Sequence, residues 1–123
     1  MIGKADDAAE TLAISGAVSS VSFGKNFAIK LRKHSQHMRE TARELGVLIP
    51  KGPSKPETRA VMESFIRHVV SNGKTLTGPY MSIGNSQWSR LGNAVVVRRM
   101  NGEFVTFLDA TKGGVMGMAP KGL

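Results

Sequence analysis

The segment "KLRKHSQH", residues 30–37, concentrates side chains that suit phosphate chemistry. Its histidines, His34 and His37, can exchange a proton near neutral pH. Its lysines and arginine, Lys30, Arg32 and Lys33, can balance negative charge on a phosphoryl group. A hydroxyl to hold the phosphate is available in Thr106, which follows a predicted hairpin turn near the C-terminus. Together these residue types indicate acid–base chemistry on a phosphodiester.

RNA is the substrate that needs least from such a site, because its 2′-hydroxyl is the nucleophile. The protein must supply a proton acceptor, cations and a hydrogen-bond donor, and we expect no metal or other cofactor. The His34-x-x-His37 spacing also suits a metal ion, but the nearby acids Glu40 and Glu44 are interpreted as helix ion-pair partners. A metal-dependent DNase is therefore the less favoured alternative.

His34 lies on the apolar stripe of a predicted helix, so we expect it to face the sheet. The competing interpretation is a structural histidine that bonds a backbone carbonyl. Positive charge on Arg32 and Lys33 is expected to lower the pKa of His34 and to keep its imidazole available as a base. His37 tends toward the charged face of that helix and His68 borders a packed stripe, so both have weaker claims.

Charge provides an independent indication of the partner. The chain has seventeen Lys and Arg and nine Asp and Glu, which gives a formal net charge of +8. Eight of the cations lie in the segment from Gly24 to Lys55. This suits nucleic acid or an acidic protein. There is no cysteine, no apolar run of about 18 residues that would predict a membrane span, and no signal-peptide pattern in the acidic start of the chain.

Periodicity predicts an α+β fold with N-terminal helices packed on a twisted antiparallel sheet of about four strands. Residues 1–23 are predicted to be an N-terminal helix (6–22) or leader segment, and residues 24–123 a single domain. The later elements are predicted as helices over 27–45 and 57–71, strands near 75–82, 86–91, 94–100 and 103–109, turns at 84–85, 92–93 and 101–102, and an irregular tail.

The last predicted hairpin, "AVVVRRMNGEFVTFL", contains Asn101-Gly102, which is typical of a two-residue type I′ turn. That turn would place Val97 opposite Thr106, with Phe104 on the face of Thr106 and Phe107 on the other face. An alternative interpretation is an edge hairpin whose arginines oppose aggregation.

Several short motifs follow one another along the chain: Lys33-His34, Gly46, Phe65 with His68, Gly78-x-Tyr80, and "NGEFVT" at 101–106. Over about residues 30–109 this order resembles the tRNA-cleaving colicin D type of toxin domain. More broadly it is similar to the barnase–EndoU–colicin–RelE group found in contact-dependent growth inhibition and other polymorphic toxins. The family has a tryptophan where this chain has Leu108.

The resemblance implies specific roles and partners. His34 would be the catalytic histidine, Lys33 the phosphate-binding cation, and Thr106 the counterpart of a serine that contacts the scissile phosphate. Such antibacterial domains are delivered as part of a larger effector, cleave tRNA in or near the anticodon loop in the target-cell cytoplasm, and are neutralised by a cognate immunity protein. An acidic immunity protein is expected here, a host factor is a further candidate partner, and no membrane partner is expected.

Six further residues are candidates for contacting RNA or its phosphates: Lys30, Arg32, Tyr80, Trp88, Arg98 and Arg99. The remaining alternative is a domain that binds RNA without cleaving it. With seven aromatic residues in the chain and no strand carrying paired exposed aromatics, the sequence favours this alternative less.

Overall fold

Two long helices precede a four-stranded antiparallel sheet in the computed structural model, which describes residues 20–24 and 27–123. The elements are α1 (Phe27–Glu44), α2 (Pro56–Asn72), β1 (Lys74–Tyr80), a 3₁₀ helix (Met81–Ile83), β2 (Gly84–Leu91), β3 (Ala94–Arg99), β4 (Phe104–Asp109) and α3 (Val115–Met118). The strand order is β1-β2-β3-β4, so β4 is an edge. The α+β prediction is confirmed, including the number of strands.

The bounds of α1 and α2 follow from their sequences. α1 buries the stripe Phe27, Leu31, Met38 and Ala42. It ends in a Schellman motif, because Gly46 adopts φ +80° and the N–H of Val47 donates to Ala42 O at 2.8 Å. α2 begins with proline at its first position and ends before Gly73.

Both faces of the sheet are covered. On one face, α1 and α2 pack against Val96, Phe104 and Phe107. On the other face, Trp88, Val95 and Val97 form a second cluster that includes Ala119 and Leu123 of the tail. This double coverage explains the unbroken valine run in β3, because a strand buried on both faces does not alternate. The tail, predicted to be irregular, includes the single turn α3.

The β3–β4 hairpin differs from its prediction. Val97 pairs with Thr106 as expected, but Arg98 pairs with Phe104, because a bulge interrupts the register between Val97 and Arg98. The turn has three residues, and Gly102 adopts φ +96° and donates its N–H to Arg99 O at 2.9 Å. The two-residue type I′ prediction was therefore wrong.

The bulge also changes which residues share a face. Phe104 and Phe107 both pack in the helix-side cluster, whereas Val105 and Leu108 lie against the other cluster. Regular alternation placed Phe104 and Phe107 on opposite faces, so that prediction was wrong. The extra residue that a bulge inserts shifts the alternation beyond it. The first turn, predicted at 84–85, is replaced by the 3₁₀ helix at 81–83.

A short extended segment lies beside the edge strand. The N–H of Ser22 donates to Gly102 O at 3.1 Å, and the N–H of Phe104 donates to Ser22 O at 2.8 Å. Val21 is buried in the helix-side cluster. Residues 20–22, the end of the predicted helix over 6–22, are thus not helical, and the rest of that prediction lies outside the described residues.

In the part of the chain that the structure describes, no helix has both the length and the apolar character that crossing a membrane requires.

Candidate active site

The candidate site lies where α1 meets the edge strand β4. α1 packs mostly against β4. Lys30, His34 and His37, spaced four and three residues apart, lie along one side of α1. The Nε2 atom of His34 comes within 3.5 Å of Thr106 Oγ1. Two residues predicted to face a common site are therefore neighbours in the structure.

The contact between His34 and Thr106 is long for a hydrogen bond. At 3.5 Å it lies beyond the usual range of about 2.7–3.2 Å. A histidine that serves packing alone is expected to hold a short bond to a carbonyl oxygen, and in the described part of the chain His34 has no such bond. Catalytic hydrogen bonds are often long before substrate binds and tighten in the complex. Within the described residues, His34 therefore has no short side-chain hydrogen bond that a ligand at Nε2 would have to replace.

The surroundings of His34 favour its neutral form. Burial, together with the charges of Lys30, Lys33 and His37, lowers the pKa of His34 from 6.5 to about 4, and burial is the largest of these causes. At neutral pH the imidazole is uncharged and can accept a proton. Thr106 itself is 1% exposed, so its hydroxyl is held in place by the surrounding strand and helix.

His37 is closer to the site than its position in the sequence indicated. Its ring centroid lies 6.2 Å from that of His34, at an interplanar angle of 42°. The helical i,i+3 spacing was a usable signal for this proximity. His68, by contrast, is exposed on α2, where its ring Nδ1 pairs with the side-chain amide of Asn72 at 3.1 Å.

A cavity of about 170 Å³ adjoins Lys30 at the hairpin end of the sheet. Lys30 and Arg99 both line it, together with Gly24, Ile83, Glu103, Phe104 and Val105. Arg99 Nε lies 3.3 Å from Glu103 Oε1, an exposed ion pair. Two of the cations predicted to contact phosphate therefore border one cavity, one of them beside a carboxylate. Lys33, the predicted phosphate-binding cation, is exposed on α1 next to His34.

Three other residues predicted to contact RNA, namely Trp88, Tyr80 and Arg98, lie in the interior. Trp88 is 0% exposed and donates its indole N–H to Gly78 O at 3.3 Å. Tyr80 packs edge-to-face on Trp88 with ring centroids 5.5 Å apart, and burial raises the pKa of its hydroxyl. The C-terminal tail covers this face, and a Cβ on Gly78 would lie 2.7 Å from Pro120 Cγ. Trp88 and Tyr80 are therefore in the packed interior, not on a stacking surface.

Arg98 is buried as well. Its guanidinium donates to Ser20 O at 2.6 Å and to Gln87 Oε1 at 3.2 Å, and desolvation lowers its pKa. Both acceptors are neutral, so Arg98 links the extended N-terminal segment to β2. β3 alternates regularly through this point, so Arg98 lies on the same face as Val96, which is buried on the helix side. Its guanidinium is not accessible from solvent, so a phosphate cannot contact it in this structure.

Arg32 lies on a different side of α1. It lines a second cavity with Ala28, Pro53, Ser54 and Arg59, between α1 and the start of α2. Each helical residue turns the chain by about 100°, so Arg32 and His34 project about 200° apart. The cations of the "KLRKHSQH" segment are thus divided between two places.

Among residues 20–24 and 27–123, Glu40 and Glu44, interpreted from the sequence as ion-pair partners, accept hydrogen bonds from amides and form no ion pair. Gln36 Nε2 donates to Glu40 Oε2 at 3.3 Å, and Asn93 Nδ2 donates to Glu44 Oε1 at 3.0 Å. In residues 20–24 and 27–123, His, Cys, Asp and Glu side chains form no group of three or more that could hold a metal ion.

Comparison with known proteins gives no relative for this chain: no family model, curated protein or solved structure matches it.

Proposed function

We propose that this protein is a metal-independent endoribonuclease that uses the 2′-hydroxyl of RNA as its nucleophile. One observation carries the proposal. A half-buried imidazole, neutral at pH 7, lies 3.5 Å from a buried threonine hydroxyl and beside two lysines, Lys30 and Lys33. This arrangement contains a proton acceptor, a hydrogen-bond donor and positive charge, which are the groups that RNA transesterification requires.

In the proposed reaction, His34 Nε2 accepts the proton of the 2′-hydroxyl. The 2′-oxygen attacks the adjacent phosphorus, the bond from phosphorus to the 5′-oxygen breaks, and a 2′,3′-cyclic phosphate remains. His37 donates a proton to the departing 5′-oxygen, which leaves as a hydroxyl. Lys30 and Lys33 stabilise the charge on the non-bridging oxygens, and the buried Thr106 hydroxyl, 3.5 Å from His34 Nε2, positions the imidazole.

The substrate and biological role are proposed from the resemblance to colicin D-type toxins. We expect tRNA, cut in or near the anticodon loop, as the substrate of an antibacterial toxin domain. The net charge of +8 supports a polyanionic substrate and an acidic immunity protein, because opposite potentials accelerate association. Delivery within a larger effector, action in the target-cell cytoplasm and a host factor as a further partner belong to the same proposal.

Burial of Trp88 and Tyr80 supports a catalytic role over passive RNA binding. Proteins that bind single strands without cleavage rely on exposed aromatic side chains for base stacking. In the described part of the chain these two aromatics are occupied by packing against each other and against the tail. The strongest candidates for ligand contact are instead the cations and histidines of α1.

The test is cleavage of tRNA by the purified protein in EDTA. We expect fragments that end in 2′,3′-cyclic phosphate, identified by mass spectrometry, and no cutting of a substrate with 2′-deoxyribose at the cleaved position. His34→Ala is expected to remain folded and inactive, whereas His68→Ala, on the exposed side of α2, keeps wild-type activity.

Activity abolished by EDTA would indicate a metal-dependent nuclease. Salt-dependent binding without cleavage, unchanged in His34→Ala, would indicate a binding domain.

A further inference from the structure

The second cavity, between α1 and the start of α2, is positively charged on opposite walls. Arg32 of α1 and Arg59 of α2 line it with Ala28, Pro53 and Ser54, and its volume is about 170 Å³. Among these five lining residues are two guanidinium groups, one hydroxyl and no carboxylate. Such a volume accommodates a phosphate group together with a few water molecules.

The guanidinium of Arg59 is not satisfied by the described part of the protein. Its Nε atom is buried and has no hydrogen-bond partner among residues 20–24 and 27–123. A buried donor without an acceptor costs about 1–3 kcal/mol, more when it is charged. The ion pairs found in the same residues use Arg67 with Glu63 and Arg99 with Glu103, so neither Arg32 nor Arg59 takes part in them. An anion in the cavity would relieve both the missing bond and the repulsion between the two arginines.

The start of α2 lies beside the cavity, and its first turn also carries the carboxylate of Glu57. Its cap residue, Lys55, makes no side-chain cap hydrogen bond, and Pro56 follows it. The free N–H groups of a first helical turn carry partial positive charge. Ser54 and Arg59 flank that turn, so the cavity takes its side-chain donors from the loop before α2, from α2 and from α1.

We propose that this Arg32–Ser54–Arg59 cavity binds a phosphate of the RNA strand other than the one that is cleaved. The proposal rests on the proposed function for its choice of RNA as the ligand. Arg32 and His34 project from opposite sides of α1, and Lys33 is exposed between them. A strand that reaches from His34 to the cavity would therefore cross the exposed side of α1, about 10–12 Å wide with side chains.

This arrangement predicts a dependence on substrate length. A dinucleoside monophosphate has one phosphate and cannot occupy both places, whereas tRNA can. Arg32→Gln and Arg59→Gln should each raise KM for tRNA by about tenfold or more, because a charge-assisted contact is lost. The same variants should leave kcat on tRNA and all kinetics on the dinucleotide unchanged. Arg43→Gln, an equal loss of charge from an exposed position on α1, is the matched control.

Binding is measured separately from cleavage. Inorganic phosphate, titrated into ¹⁵N-labelled protein, should shift the backbone signals of Ser54 and Arg59, and Arg59→Gln should abolish these shifts. In a plot of the logarithm of tRNA affinity against the logarithm of salt concentration, the slope should become shallower by about one for either variant. Arg32 is exposed, so its variant remains informative if the Arg59 variant is destabilised.

The two proposals fail in different ways. If the wild-type protein binds tRNA without cutting it and both variants still weaken that binding, the nuclease proposal is wrong and the phosphate site stands. If tRNA is cut and both variants match Arg43→Gln in KM and salt slope, the phosphate site is wrong and the nuclease stands. Variants that weaken only the binding of an acidic protein would also overturn the phosphate site.

Discussion

His34 Nε2 and Thr106 Oγ1 lie 3.5 Å apart although 72 positions separate the two residues in the sequence. One belongs to the first long helix and the other to the last strand, so the contact exists only because α1 packs against the edge of the sheet. Burial at this junction is the largest cause of the lowered pKa of His34. The same packing therefore both positions the histidine and lowers its pKa.

Removing the imidazole should abolish activity without unfolding the protein. General acid–base groups contribute about 10²–10⁴-fold to rate, so His34→Ala is expected to lower kcat on tRNA by at least about 100-fold. Circular dichroism and thermal melting would verify that the fold is retained. His68→Ala is the control, because His68 is exposed and pairs with Asn72. A His34→Ala enzyme with the wild-type rate would remove His34 from the mechanism.

The hydroxyl of Thr106 should matter more for catalysis than for stability. Thr106→Val keeps the shape of a buried side chain but removes the hydroxyl, and we expect a drop in kcat of about tenfold or more. Because the contact with His34 is long, the loss in stability should stay near or below about 1 kcal/mol. Thr106→Ser restores a hydroxyl and should restore most of the rate. Equal rates for the valine and serine variants would show that the hydroxyl has no role.

Lys30 should control the pKa of His34. After burial, the charge of Lys30 is the largest cause of the lowered pKa, and it lies one helical turn away. NMR titration of the His34 ring should give a pKa of about 4 in the wild-type protein and a higher value in Lys30→Met. Arg43→Gln should leave it unchanged. A pKa near 6.5 in the wild-type protein would mean that the ring is hydrated and that the site is open.

The protein should lose stability as the pH falls below about 6.5. The unfolded chain takes up a proton on His34 near pH 6.5 and the folded protein only near about 4, so the unfolded state binds more protons between these values. The free energy of unfolding therefore declines across this range and levels off below it. The contribution is at most about 3–4 kcal/mol, and partial exposure of the ring makes it smaller.

Chemical denaturation at pH 7 and pH 4.5 measures this effect. His34→Gln has no ring to protonate, so its loss of stability between these pH values should be smaller than that of the wild-type protein. Equal losses would assign the acid sensitivity to other groups.

Fluorescence of Trp88 tests whether RNA stacks on it. Trp88 is the only tryptophan in the chain and is fully buried, so its emission should be blue-shifted and poorly quenched by iodide. Adding tRNA to the inactive His34→Ala variant should leave the emission nearly unchanged. Strong quenching by RNA would mean that the tail covering Trp88 opens and that a base reaches the indole.

Local patterns were sufficient to predict most elements. The helix over 27–45 is observed as Phe27–Glu44 and the helix over 57–71 as Pro56–Asn72, because apolar spacing and terminal Gly or Pro signals determine both. The turn at 92–93 is observed between Leu91 and Ala94, which pair directly. These features depend on residues close together in the sequence.

The hairpin at 101–102 shows where local patterns fail. Asn-Gly predicts a two-residue turn, but Ser22 bonds both Gly102 and Phe104, so a distant segment acts on this loop. A Cβ on Gly102 would lie 3.0 Å from Ser20 O, so the glycine also permits that close approach. The bulge, whose extra residue is Val105 of β4, brings Phe107 to the face of Phe104. No signal within the hairpin itself contains this information.

By itself, the sequence predicted the type of chemistry that we propose for this protein. Histidines, lysines and arginines within eight residues, on a basic chain, indicate phosphate as the ligand. Only the tertiary structure decided which of these groups act together. Packing of α1 on β4 brought His34 next to Thr106. The rotation of about 200° between Arg32 and His34 placed Arg32 at a separate cavity, and the tail buried Trp88. The physical reason is that residue type determines what a group can do, whereas burial and distance determine its charge and its neighbours.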